Sequence, residues 1–295
     1  MKKRPFLMAS ATIGAIFLFF LLLILASNSW QGSAGLVSVG DKVGVLEVIG
    51  PIEESKHLID QIHAFRDNDA VKAVVLRVDS PGGGVGPSQE IYTEIKRLTA
   101  IKPVVVSMGS VAASGGYYIA APTQRIFANP GTITGSIGVI MSFANYQELM
   151  DKVGVKSLVI KSGPFKDTGS ATRPFTDEEN RLMQLLIDDV HAQFVEAVSE
   201  GRNLTSEVAA KLADGRIYTG RQAQNLGLVD EQGNLQDAID YAAAQVGLEK
   251  DPDLLYPRPE EKSLLDRVLE SSLGSLATEI KTYHNPGLSY LWPGF

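Results

Sequence analysis

No cysteine occurs anywhere in this chain of 295 residues. Disulfides, thiolate metal sites and a thiol nucleophile are therefore excluded, while both redox compartments stay open. Histidine is nearly as scarce: the four residues, His57, His63, His191 and His284, are scattered. They make no His-rich metal motif, and neither a metal nor another cofactor is expected. Basic charge is in deficit, with 27 Lys and Arg against 34 Asp and Glu and a formal charge of −7. Without a dense Lys/Arg run to displace counterions, nucleic acid is not an expected partner. Long apolar runs are missing too, with one exception.

That exception is Phe6–Ala26, 21 residues without a charge, preceded by Lys2, Lys3 and Arg4. As a helix at about 1.5 Å per residue it would span roughly 30 Å, the hydrocarbon thickness of a bilayer. A cleavable secretory signal has an apolar core of only about 7–15 residues. The run therefore reads as an uncleaved single-pass anchor, with processing at the small residues Ser27-Asn28-Ser29 as the alternative. The positive-inside rule keeps residues 1–5 in the cytoplasm and puts everything after about residue 30 outside it. Trp30 would suit the interface, and the Ser/Gly-rich stretch 27–40 reads as a tether.

The remainder, 44% apolar and 21% charged over the whole chain, has an ordinary globular balance. Val43–Ile49, Val71–Asp79 and Pro103–Met108 are apolar, β-branched runs that read as strands. Arg125–Ala128, Ile133–Ile140 and Ser157–Lys161 can supply more. Helices are expected over Ser55–Arg66, around Ile91, Ile95 and Leu98, over Ser114–Ala121 and over Tyr146–Val153. Thr176-Asp177-Glu178-Glu179 has the capping-box pattern and opens a long helix whose apolar positions run from Leu182 through Leu185, Leu186, Val190 and Phe194 to Val198. Strands alternating with helices predict an α/β domain over 41–250 with a largely parallel sheet covered by helices. No internal repeat is visible. The tail, 251–295, holds one amphipathic segment, Leu264–Leu276, expected to pack on the body or on a neighbouring subunit.

Three segments invite a chemical reading. Gly109-Ser110-Val111-Ala112-Ala113-Ser114-Gly115-Gly116 surrounds Ser114 with tiny residues. These would clear space for a substrate backbone, with the first amides of a following helix free to face an oxyanion; close packing of a loop on a sheet would explain them as well. Asp79-Ser80-Pro81-Gly82-Gly83-Gly84 lets backbone amides approach a ligand without a Cβ in the way. It lacks the P-loop and dinucleotide signatures, so a second oxyanion donor fits at least as well as phosphate. Ser80, next to Pro81, reads as a turn residue rather than a nucleophile. A serine nucleophile needs a base, and none of the four histidines lies in a loop suited to that work; His191, beside Asp188 and Asp189, reads as part of a solvated helix face. A lysine base must have its pKa lowered by burial. Lys166, in Ser162-Gly163-Pro164-Phe165-Lys166-Asp167-Thr168-Gly169-Ser170, is the natural candidate, although loop lysines are ordinarily solvated.

Taken together, the blocks RVDSPGGG (77–84), MGSVAASGGYYIA (108–120), TGSIGV (134–139) and SGPFKDTGS (162–170) resemble the bacterial signal peptide peptidase A (SppA-type) family. The likeness runs from about Val43 to Gly247. It implies a Clp protease/crotonase-like fold of repeated ββα units. It also implies Ser114 as nucleophile, Lys166 as general base, Ser136 orienting that lysine, and Gly83 and Gly115 as oxyanion-hole amides. Acyl-enzyme hydrolysis of hydrophobic peptides, such as signal-peptide remnants, would follow, carried out by a ring of identical subunits. The rival readings are a crotonase-like acyl-CoA enzyme, an anchored scaffold or binding protein without turnover, and a related membrane protease acting on specific proteins rather than peptide remnants.

Overall fold

The computed structural model describes Leu18 and Phe19, residues 40–257 and residues 288–294. The expected anchor (apart from Leu18 and Phe19), the tether up to Gly40 and the amphipathic Leu264–Leu276 lie outside the described residues. Among the described residues no helix is long and apolar enough to cross a membrane. The chain divides into two units between Gly40 and Asp41, and everything below concerns the unit that begins at Asp41.

In chain order the elements are β1 (Lys42–Ile49), α1 (Lys56–Asp67), β2 (Val71–Ser80), β3 (Gly82–Gly84), α2 (Val85–Thr99), β4 (Val104–Ala113), α3 (Gly115–Ala120), β5 (Arg125–Ala128), β6 (Ile133–Gly135), α4 (Gln147–Lys152), α5 (Asp177–Gly201), α6 (Ser206–Leu212), β7 (Ile217–Thr219), α7 (Gly220–Asn225), β8 (Glu231–Gln232), α8 (Leu235–Gln245), β9 (Leu254–Leu255) and β10 (Ser289–Leu291). The main sheet runs β7-β6-β4-β2-β1-β9, with β5 pairing β4 and β8 extending β5. All its pairings are parallel except β6 with β7. It is thus an α/β fold with a mixed, mostly parallel sheet.

Alternation along the central strands explains why both sheet faces are covered. On β2, Val74, Leu76 and Val78 join Leu58, Ile62 and Phe65 of α1 and Ile91, Ile95 and Leu98 of α2 in the larger core. Ala73 and Val75 point the other way, onto Ala238, Ile239, Ala242 and Ala243 of α8. Gly44 is required where Phe65 crosses β1, because a Cβ there would stand 2.6 Å from the ring.

One irregularity positions the site. Val78 pairs with Met108 but Ser80 pairs with Ala112, so β4 carries extra residues at Gly109–Val111. The Asp79 carboxylate fills the bulge and accepts the Val111 amide at 3.0 Å. Before the bulge β4 pairs with β5, and after it with β6. The end of β4 is thereby turned away from β5 and toward β6.

Several expected elements differ. Ile133–Ile140 is a strand only to Gly135, with an isolated bridge from Ile140 to Ser289. Ser157–Lys161 forms no strand; its apolar residues find no sheet to join, and Leu158 and Ile160 are 91% and 95% exposed. The Thr176 capping box forms as expected, with the Thr176 hydroxyl accepting the Glu179 amide and Glu179 accepting the Thr176 amide. Only the second half of α5 packs, through Val190, Phe194, Ala197 and Val198, while Leu185 and Leu186 are exposed.

Candidate active site

Ser114 ends β4 and caps α3 in a conformation that L-residues avoid, φ 52° and ψ −118°. Such strain costs on the order of 1–3 kcal/mol and persists only where surroundings impose it. Here they do. The Ser114 amide donates to Gly135 O at 2.8 Å and its carbonyl accepts the Tyr118 amide at 2.8 Å. Ser114 is almost fully buried. The opening amides of α3, beginning with Gly115, have no partner inside the helix.

Gly83 lies beside it. On one side of β3, Ile52 donates to Gly82 O at 2.8 Å and accepts the Gly84 amide at 2.9 Å. The Gly83 amide therefore faces the other way. A Cβ on Gly115 would stand 3.1 Å from Gly83 N; one amide in β3 and one opening α3 lie side by side. A Cβ on Gly83 would meet Ile52 O at 2.1 Å, so only glycine lets β3 run this close to Ile52. Ser80 makes the turn, its hydroxyl accepting the Gly82 amide at 3.1 Å, as its neighbour Pro81 implied.

Ser136 follows Gly135, the residue that receives the Ser114 amide. It adopts φ 49°, donates its own amide to Arg216 O at 2.8 Å and is buried. Ser114, Gly83, Gly115 and Ser136 are thus gathered where β4 and β6 end, β3 passes and α3 begins. Lys166 is not joined to them by any hydrogen bond among the described residues. It is exposed on a turn, with its amide donating to Gly163 O at 3.3 Å. That turn is tied instead to the start of α5. Arg173 bridges Asp167 (2.8 Å) and the buried Glu179 (2.5 Å), and Lys161 reaches Asp167 at 2.5 Å. Beside Arg173, both carboxyls are held well below the usual carboxylate range.

The sequence reading missed what lies on Gly83. Strand β10 pairs antiparallel with β3, Tyr290 opposite Gly83. Leu288 O accepts Val85 N at 3.2 Å and Trp292 N donates to Pro81 O at 2.8 Å. In an antiparallel ladder the hydrogen-bonded pairs recur every second residue, so the Tyr290 carbonyl faces the Gly83 amide. That carbonyl oxygen also lies 3.1 Å from where a Gly115 Cβ would be. The Tyr290 ring is fully buried, stacked on Tyr118 at 5.1 Å and tilted against Phe194 at 4.7 Å, with its hydroxyl donating to Val190 O at 3.2 Å. Burial raises its pKa, as it does that of Tyr118, pushed up to about 12. The only hint in the sequence is the apolar, aromatic end Leu288–Trp292.

Beyond Tyr290, a cavity of about 580 Å³ is lined by Ser136, Val139, Ile140, Ile187, Leu291 and Trp292. His191 borders it as well. Contrary to the solvated face expected for it, His191 is half-buried, with Nε2 2.7 Å from Ala213 O. The helix turns it toward the loop before β7 rather than out to water. Among the described residues, no three His, Cys, Asp or Glu side chains gather to hold a metal ion.

Comparison with known proteins agrees with this geometry. The model of the peptidase S49 family matches residues 96–249, and that of Clp protease matches residues 44–133, which places the sheet in the Clp protease-like class. A putative protease of Synechocystis is 44% identical over 248 residues, 83% of this chain and 84% of its own. A putative signal peptide peptidase SppA of Enterococcus faecium is 42% identical over 63% of this chain and 54% of its own length. Protease 4 of Salmonella typhi is 40% identical over 73% of this chain, but this chain spans only 35% of that longer protein. On the match over half its length and on these relatives, the chain belongs to peptidase family S49, as a serine peptidase of the SppA type.

Proposed function

We propose that the protein is a membrane-anchored endopeptidase that hydrolyses hydrophobic peptides, including signal-peptide remnants, through an acyl-enzyme on Ser114. One observation carries this reading: a strained, buried serine stands beside two converging glycine amides, in front of which an extended strand presents a carbonyl. Gly83 and Gly115 would hold the oxyanion, Lys166 would take and return the proton, and Ser136 would orient Lys166. The large apolar pocket filled by Tyr290 supports apolar substrate residues. The uncharged run Phe6–Ala26 after Lys2, Lys3 and Arg4 supports an anchor in a bacterial inner membrane with the catalytic domain on the extracytoplasmic side.

Lys166 is exposed on its own chain, and Leu149, Val153, Leu158 and Ile160, which precede it in the same stretch of chain, are uncovered as well. Several uncovered apolar side chains in one segment suit a protein interface. Our reading is that identical subunits form a ring in which this segment covers a neighbour and delivers Lys166 to the neighbour's Ser114. The test is labelling by a fluorophosphonate probe followed by mapping of the modified residue. Modification at Ser114 that disappears in Lys166→Ala supports the dyad; labelling of another serine, or undiminished labelling of Lys166→Ala, rejects it.

A further inference from the structure

We propose that Arg173 keeps Lys166 free to act as a base by holding Asp167, its neighbour in the chain, out of an ion pair with it. The inference rests on the dyad reading above and deepens it: Arg173 is a positioning residue that acts through Asp167 rather than on the reacting atoms. A base has to be neutral to take a proton, and a carboxylate beside a lysine favours the charged form. Asp167 follows Lys166 directly, and adjacent residues do pair in this fold: Arg66 Nε and Asp67 Oδ1 lie 2.7 Å apart.

The Asp167 carboxylate is engaged on the side away from Lys166. Arg173 donates to it through Nε at 3.0 Å and through Nη2 at 2.8 Å, and Nη2 also reaches the Asp167 carbonyl at 3.2 Å. Lys161 Nζ donates to the same carboxylate at 2.5 Å. A two-pronged contact of this kind suits the planar guanidinium and adds geometric specificity to the charge. These donors, Arg173 first, hold the Asp167 carboxyl well below the usual carboxylate range. The guanidinium is itself fixed by the buried Glu179, which also accepts the Thr168 hydroxyl at 3.0 Å. Lys161 reaches Pro164 O at 2.8 Å as well. The turn is therefore fastened at Pro164, Asp167 and Thr168. Lys166, between these points, makes no ion pair or side-chain hydrogen bond among the described residues.

Charge is balanced around the turn. Asp167 and, from α5, Glu179 stand against Lys161 and Arg173, so the cluster beside Lys166 is neutral as a whole. Asp151 of α4 and Lys156 line a cavity of about 420 Å³ together with Asp167, Lys161 and Arg173, and they too are of opposite sign. Taking Arg173 away leaves one cation, Lys161, for two carboxylates. Asp167 is then released to turn toward Lys166, which favours the ammonium form and lowers the share of neutral base at a given pH.

The test is the rate of fluorophosphonate labelling at Ser114 against pH, on the full chain in detergent, with thermal unfolding of each variant alongside. Arg173→Met is paired with Glu179→Gln, because glutamine keeps the capping box and removes the buried carboxylate that would lose its cation. In this double variant the acid limb of the profile should move up by about one pH unit. Labelling would then be about tenfold slower below the limb and unchanged on the plateau above it. Lys161→Gln, which leaves Arg173 in place, should move the limb the same way by less. Adding Asp167→Asn to the double variant should return it to the wild-type position, since no carboxylate is left to pair with Lys166. Lys156→Gln, which removes the same charge from the wall of the same cavity, should leave it in place. A limb unmoved in the double variant and in Lys161→Gln, or still displaced after Asp167→Asn, overturns the proposal. Uniform slowing at every pH overturns it too, as the mark of a merely structural role. Lys166→Ala separates this from the dyad reading: undiminished labelling there strikes the dyad itself, whereas labelling that needs Lys166 but has the same acid limb without Arg173 strikes the positioning role alone.

Discussion

Gly115→Ala tests the proposed oxyanion site with little damage to the fold. Gly115 opens α3, where alanine is a better helix former by about 1 kcal/mol. The new methyl would meet Ser88 Oγ at 2.7 Å, and it would sit 3.1 Å both from Gly83 N and from the carbonyl oxygen now in front of it. The first contact is with a side chain and costs about 1–3 kcal/mol as overpacking, which largely offsets the helical gain. The other two place carbon where the proposed function puts the oxyanion. Losing one oxyanion donor lowers kcat by about 10²–10³-fold, and we expect a loss of at least that size. The assay pairs peptide hydrolysis with thermal unfolding for Gly115→Ala and for Gly115→Ala/Ser88→Ala. Removing the Ser88 hydroxyl should recover the melting temperature and none of the activity. If the double variant regains activity to within tenfold of wild type, the loss came from packing against α2, and the oxyanion assignment is wrong.

Gly83→Ala is expected to lose both activity and stability, because its methyl meets the Ile52 backbone, 2.1 Å from the oxygen, and cannot be relieved by a rotamer; calorimetry beside Gly115→Ala makes the comparison. Ser114→Ala and Lys166→Ala should each be inactive alone, and mixing them should restore part of the hydrolysis if the lysine comes from a neighbour, and none if each chain completes its own pair. Leu158→Lys with Ile160→Lys should shift the assembly to smaller species by sedimentation. Arg173→Met should lower stability at neutral pH, since it leaves the buried Glu179 carboxylate without its cation. Sign and window follow from the depressed pKa values of Asp167 and Glu179. In wild type their contribution is complete above about pH 4 and fades as pH falls toward the folded-state values. The gap in melting temperature between wild type and Arg173→Met should therefore be widest near pH 7 and narrow toward pH 4, where Glu179 of the variant takes up a proton. A gap constant with pH would count against the ion pair as its source.

Much was decided along the chain itself. Apolar β-branched runs fixed β1, β2 and β4, because a strand buried on both faces needs little but apolar side chains. The capping box at Thr176 fixed the start of α5, since both partners lie within one turn. The glycines at 82–84 and 115–116 marked where backbone must approach backbone, and the serine among them is the strained residue. What failed or stayed hidden depended on distant partners. Ser157–Lys161 has strand composition but pairs with no strand among the described residues, and Leu185 and Leu186 have helical spacing but stay exposed there. Neither fact is written in local pattern. Lys166 was named from its motif, yet an exposed turn tied by Arg173 to α5 could not be foreseen, because those ion pairs join residues through the fold. The tail is the clearest case. Five residues at the end of the chain look like an afterthought in sequence, and only the antiparallel register of β10 on β3, with Ile140 on its other edge, sets the Tyr290 carbonyl before Gly83 and Gly115.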